Sequence, residues 1–151
     1  MRFFLAGIMQ GSHLASAIHN QDYRARLTAL LRAQFPDAEV YDPWADHAGS
    51  LDYDDERGRR VFLYHNRLAG EVDVLVAYVP EASMGTAIEM WEAWRNGRAV
   101  VTISPLKHNW AVKFLSHAHY ADLAELEAAL ADGRLAERLG QFANEADGAP
   151  I

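Results

Sequence analysis

Residues 73–89 read DVLVAYVPEASMGTAIE, and their order decides the fold: an apolar run, a proline-interrupted loop, then the opening of a helix. Residues 72–79 are almost continuously apolar, the pattern of a strand covered on both faces in a parallel sheet. Pro80 ends that strand, because proline has no N–H to give to a ladder. Ser83, Gly85 and Thr86 then offer backbone donors and hydroxyls beside the positive end of a helix. The first turn of this helix is expected to carry Glu89. Ligands of open α/β sheets bind outside the carboxyl ends of the strands, so this order predicts that Glu89 faces a crevice.

Working outward, strands and helices alternate along the chain. Strands are expected over 2–6, 39–41, 72–79 and 99–103, with a further one around 117–120. Helices are expected over about 13–34, 55–70, 86–96, 109–116 and 122–131, with a last short one after Gly133. In the helix over 55–70, Val61, Phe62, Tyr64, His65 and Leu68 are spaced to form one apolar face. Residues 44–55 have no clear period and read as a loop. Gly97 is a normal C-cap for the helix before it, and the end, NEADGAPI, looks mobile. Strict alternation implies parallel strands, right-handed crossovers and helices on both faces. The fold class is therefore α/β, a doubly wound and mostly parallel sheet of about five strands, of Rossmann or flavodoxin type.

Composition bounds the function. A chain of 151 residues, half of it apolar, makes one domain with one core. A net charge of −7 opposes nonspecific nucleic-acid binding, which needs clustered cations. The densest cationic segment, Arg57, Arg59, Arg60 and Arg67, shares its helix with acids. With no cysteine, disulfides, thiolate metal sites and thiol nucleophiles are excluded. The start MRFFLAGIMQGSH has too short an apolar core for a signal peptide and reads as a first strand. No segment approaches the ~18 apolar residues of a membrane span. The expectation is a soluble, cytoplasmic protein.

Four motifs bear on chemistry, each with a plainer alternative. Thr86-Ala87-Ile88-Glu89 fits a capping box, which needs no chemistry; the small, hydroxyl-rich loop before it favours a functional carboxylate, nucleophile or base. The loop Gly7-Ile8-Met9-Gln10-Gly11-Ser12 lacks both the dinucleotide fingerprint and the P-loop GK[ST]. Its amides and Ser12 suit a small polar ligand or a phosphate, or simply a turn with an N-cap. In Tyr41-Asp42-Pro43-Trp44, Asp42 is placed to orient a hydroxyl and Trp44 to stack on a base, or the two form an Asx-turn with an aromatic lid. Among the histidines, His117, His119 and His108 show no ligand spacing, and no metal site is expected. Trp91 and Trp94, with Ile88, most simply pack their helix on the sheet.

FLAG near the start, YDP after the second strand, DVLVAYVP, SMGTAIEMWEA and GRAVVTISP together resemble the nucleoside 2-deoxyribosyltransferase superfamily, which includes nucleoside-monophosphate N-glycosidases. The resemblance spans most of residues 3–110. Its most specific element is Gly85-Thr86-Ala87-Ile88-Glu89. By that match Glu89 is the nucleophile that attacks C1′ and holds the sugar covalently. The resemblance further implies that Ser83 binds the 5′ phosphate or 5′ hydroxyl region. It also implies that Asn109 lies near a neighbouring subunit's site, in a homodimer or larger assembly. No cofactor is implied. The chain departs from the family at three places. Phe4 stands where a strand-one tyrosine is common, His65 and Asn66 where an aspartate handles the leaving base, and Gln10 where a phosphate-gripping arginine is found. His65 is the nearest replacement for the missing acid.

Two readings follow. In one, the protein cleaves or transfers at the N-glycosidic bond of a nucleoside or nucleoside monophosphate through Glu89, with Gly7, Gln10, Ser12, Asp42, Trp44, Ser83, Gly85, Thr86 and Asn109 binding substrate. In the other, the same fold holds a nucleotide-like ligand without turnover. A flavodoxin-like flavin carrier is disfavoured, because no loop rich in serine and threonine follows the first strand.

Overall fold

The computed structural model describes residues 1–10 and 18–148. Five strands, β1 (Arg2–Gly7), β2 (Glu39–Tyr41), β3 (Val74–Tyr78), β4 (Ala99–Ile103) and β5 (Ala118–Tyr120), form one sheet in the order β2-β1-β3-β4-β5. Every neighbouring pair is parallel. Seven helices connect and cover it: α1 (Asp22–Gln34), α2 (Pro43–His47), α3 (Asp55–Ala69), α4 (Met84–Arg95), α5 (Trp110–Leu115), α6 (Leu123–Ala131) and α7 (Arg134–Gly148). This is the doubly wound α/β fold.

Alternation along the strands builds the two layers. Phe3 and Leu5 of β1, with Val74, Val76, Val101 and Ile103, pack on Leu27 and Leu31 of α1 and on Leu126, Leu130 and Leu135 of α6 and α7. Phe4 and Ala6, with Leu75, Ala77 and Val100, face the other way, onto Ala69 of α3 and Met90 and Ala93 of α4. The chain leaves β1 toward β2 on one side and continues from β3 on the other. The strand order therefore reverses between β1 and β3, and the gap beyond their carboxyl ends is the crevice where such folds hold ligands.

Several expectations need correcting. The helix expected from about residue 13 begins at Asp22, and residues 13–17 lie outside the described ones. Residues 18–21 are not helical: His19 N donates to Met9 O at 2.7 Å, and Gln21 Nε2 donates to Ile8 O at 3.1 Å. Bonds to the loop after β1 thus replace helical ones. The expected loop over 44–55 contains α2 and a 3-10 turn, Ser50–Asp52. Asp42 as N-cap and Pro43 in the first turn supply the start signals for α2. The predicted apolar face of α3 is only partly covered: Phe62 and Tyr64 are exposed, Val61 and Leu68 half-buried and His65 buried, beside Asn66 and Ala69. Trp91, Trp94 and Ile88 do not pack on the sheet; all three are exposed, and α4 buries Thr86, Met90 and Ala93 instead. Gly97 closes α4 with φ +67°, a conformation side chains resist.

Candidate functional site

The crevice between β1 and β3 opens into a cavity of about 510 Å³. Its walls bring together seven residues singled out in the sequence: Gly7 and Gln10 beyond β1, His65 from α3, and Ser83, Gly85, Thr86 and Glu89 at the start of α4. Met9, Phe62, Met84 and Ile88 complete the lining. A second hollow of about 260 Å³ shares Met9, Gln10, Phe62 and His65 with the first and adds Trp44, His47 and Tyr53. An acid-bearing chamber therefore adjoins an aromatic one.

Glu89 is not in the first turn of α4. The N-cap is Ser83, whose Oγ accepts from the Thr86 amide at 3.4 Å and from Thr86 Oγ1 at 3.0 Å. The capping-box reading of Thr86 to Glu89 is thereby overturned, because the extended Ser83 takes the cap three residues earlier. Glu89 is half-buried, and its carboxyl makes no hydrogen bond among the described residues. One turn further from the helix end, it receives less of the dipole than the sequence suggests. Burial pushes its pKa up to about 8 against the pull of the Arg24 guanidinium. The unliganded carboxyl therefore keeps its proton at neutral pH.

Asp42 lies close by and has the opposite character. Its Oδ1 pairs with Arg24 Nη1 at 2.9 Å and caps α2 by accepting from Trp44 N at 3.0 Å. Arg24 is 2% exposed and also donates to the carbonyls of Leu5 and Gly7 and to Gln21 Oε1. Of the two readings of this motif, these bonds make the Asx-turn, through the single oxygen Oδ1. Nothing in the sequence flagged Arg24, which reads as one more polar residue of an amphipathic helix.

His65 is also corrected in role. It is 7% exposed, its Nε2 lies 3.1 Å from Tyr41 Oη, and its ring meets those of Phe4 and His47. Burial and the neighbouring His47 lower its pKa to about 4. At neutral pH it is an uncharged imidazole rather than the proton source expected. His47 Nδ1 in turn lies 3.0 Å from Tyr53 Oη, which fixes one wall of the aromatic hollow. Periodicity could not have found His47 or Tyr53, since both fall in the stretch read as a loop.

The remaining residues separate. Asn109 Oδ1 caps α5 and lines a different hollow, on the far side of α4, of about 380 Å³. Ser12 lies outside the described residues. His117 Nδ1 accepts from Val100 N and His119 Nε2 lies 2.8 Å from Ser104 O, so both serve backbone groups.

No family model and no curated protein matches this chain. Solved structures do match. A 2-deoxyribosyltransferase from the psychrotolerant bacterium Bacillus psychrosaccharolyticus superposes with a TM-score of 0.62 at 17% identity, covering 86% of this chain and 96% of that one. The CMP N-glycosidase of Clostridium botulinum gives 0.51 at 19%, over 89% and 99%. A conserved protein from Enterococcus faecalis V583 gives 0.52 at 20%, over 93% and 97%. At such identities the likeness is one of fold, and it agrees with the superfamily whose motifs the sequence resembles.

Proposed function

We propose that the protein cleaves or transfers at the N-glycosidic bond of a nucleoside or nucleoside monophosphate, with Glu89 as the nucleophile. The observation that carries this reading is the uncommitted Glu89 carboxyl in a cavity that continues into an aromatic hollow. A sugar fits against the acid while a base lies among Trp44, Phe62 and His65. Two of the solved structures with this fold are named for that class of chemistry.

The raised pKa of Glu89 suits the reaction. A carboxylate poorly solvated in the free protein gains most when positive charge develops at the anomeric carbon, so the stabilisation falls on the oxocarbenium-like transition state rather than the ground state. Glu89 first gives up its proton; its Oε then forms the bond to C1′ as the C1′–N bond breaks, and the departing base takes the electron pair and one proton, so charge balances. Water resolves the glycosyl ester in a hydrolase, and a second base does so in a transferase. Ser83 Oγ accepts two hydrogen bonds and keeps its own O–H to donate toward a 5′ oxygen. A Cβ on Gly85 would meet only open space, which leaves that wall clear for a ligand. His65 serves the base as a neutral hydrogen-bonding group.

One observation favours the second reading, a binding module without turnover: in the free protein Glu89 is protonated and His65 is not. Chromatography of a panel of nucleosides and monophosphates decides between them. Free base released by the native protein and not by Glu89→Gln supports the enzyme. Binding without release, unchanged by that substitution, supports the module.

We further propose that a second copy of the chain covers the face formed by α3, α4 and α5. Phe62, Leu63, Ile88, Trp91, Trp94, Trp110 and Phe114, all exposed, belong to these three helices, and large apolar side chains gathered on neighbouring helices mark an interaction surface. Light scattering should give at least twice the 16.9 kDa chain mass, and Trp94→Glu should lower it.

A further inference from the structure

Burying a hydroxyl without a partner costs about 1–3 kcal/mol, and such groups call for an explanation. Among the described residues Tyr23 Oη and Asn66 Oδ1 are buried side-chain oxygens that lack a hydrogen bond. The amide nitrogen of Asn66 is engaged in its own helix, donating to Phe62 O. Tyr23 is different, because its hydroxyl is carried to the ligand crevice.

Tyr23 sits on α1, in the layer opposite to α4, and is 7% exposed. Its ring stacks on Tyr78, the last residue of β3, at 4.2 Å between centroids, and the Arg24 guanidinium lies 5.1 Å from its centre. The phenol oxygen reaches the end of β1 at Gly7. A Cβ there would lie 2.1 Å from Tyr23 Oη, so glycine is what lets the hydroxyl approach. Gly7 and Tyr78 are register partners at the carboxyl ends of β1 and β3, and Gly7 lines the cavity that holds Glu89. The hydroxyl thus arrives from beneath at the same switch point that Glu89 borders from above.

We propose that Tyr23 is the positioning residue for Glu89: when Glu89 ionises, the Tyr23 hydroxyl donates to its carboxylate. The inference rests on the reading of Glu89 as nucleophile. It explains why a phenol is buried with its proton uncommitted and why Gly7 carries no side chain. Burial holds the phenol in its protonated form, and the charge of Glu89 acts in the same direction, so Tyr23 is a donor throughout the neutral range. The other groups about the Glu89 carboxyl are Arg24 from α1, whose charge acts on it, with its partner Asp42 beyond β2, and His65 from α3, which lines the same cavity. None of them combines a free hydroxyl proton with this approach.

The test compares the native protein, Tyr23→Phe and Gly7→Ala, with Glu89→Gln used to assign the Glu89 signal. Carbon-13 NMR of the side-chain carboxyls follows the Glu89 titration without any substrate. Loss of a donor to the carboxylate should raise the Glu89 midpoint by about half a unit or more in Tyr23→Phe. Gly7→Ala, whose methyl takes the place of the hydroxyl, should raise it likewise. With an active substrate, the acidic limb of kcat/KM should move up by the same amount and kcat should fall about 10-fold, with KM little changed. An unmoved Glu89 midpoint in Tyr23→Phe overturns the proposal, including the case in which Tyr23→Phe merely lowers the melting temperature. If no substrate is turned over by the native protein, the glycosidic reading fails, yet the midpoint still decides whether Tyr23 serves Glu89.

Discussion

Two carboxylic acids stand at the carboxyl rim of this sheet, Asp42 beyond β2 and Glu89 in the helix after β3, and the structure treats them in opposite ways. Asp42 has one oxygen, Oδ1, engaged by both a buried guanidinium and a helix-capping amide. Glu89 has no hydrogen-bond partner among the described residues, lines a cavity and is pushed up to about 8. An acid at a strand end is available for chemistry only when its neighbours leave its lone pairs unclaimed. The sequence puts both acids at the rim, and the partners decide which one is free.

The largest effect should come from removing the free acid. Glu89→Gln should lower base release by at least about 1000-fold, since the nucleophile itself is lost; a rate within tenfold of native would break the contrast. The engaged acid should instead matter to folding. Asp42→Ala leaves the Arg24 charge buried beside two carbonyls, and urea unfolding should show a loss of about 3 kcal/mol. A loss below about 1 kcal/mol would mean that Asp42 is not the structural partner described.

The contrast extends to pH. The folded protein holds the Glu89 proton up to about pH 8, whereas the unfolded chain releases it near 4.5, so native stability declines as pH rises between those values. Glutamine does not titrate. Glu89→Gln should therefore match the native protein at pH 4.5 and exceed it by about 2 kcal/mol above pH 8, allowing for solvent in the cavity. A constant difference across that range would show that Glu89 is not held protonated. His65 sharpens the point with a smaller effect. The unfolded chain protonates this imidazole near 6.5 and the folded protein only near 4, so stability falls as pH drops through that window. His65→Gln should remove about 1 kcal/mol of that acid loss, measured by thermal melts at pH 6.5 and pH 4.

Much of the fold was legible because its signals are local. Residues 39–41 and 99–103 form strands with the expected bounds, and the apolar run before Pro80 becomes the central β3. Where the reading failed, a longer-range partner prevailed. Residues 18–21 are held off helix by bonds to the loop after β1, and Ser83 rather than Thr86 begins α4. Periodicity assigned Ile88, Trp91 and Trp94 to the core, yet the helix buries its smaller face against the sheet and leaves these three exposed. Position along the chain could mark Glu89 and its loop. It could not say that Asp42 would find Arg24 across 18 residues, or that Tyr23 would end against Gly7.

Alternation of apolar runs with amphipathic stretches determined the parallel sheet, its winding and the rim to which the polar residues belong, because those follow from backbone periods and crossover handedness. The proton on Glu89, the neutrality of His65 and the engagement of Asp42 were decided only by the tertiary structure. Each depends on how much solvent and which charge surround a group, and these are set by residues distant in sequence.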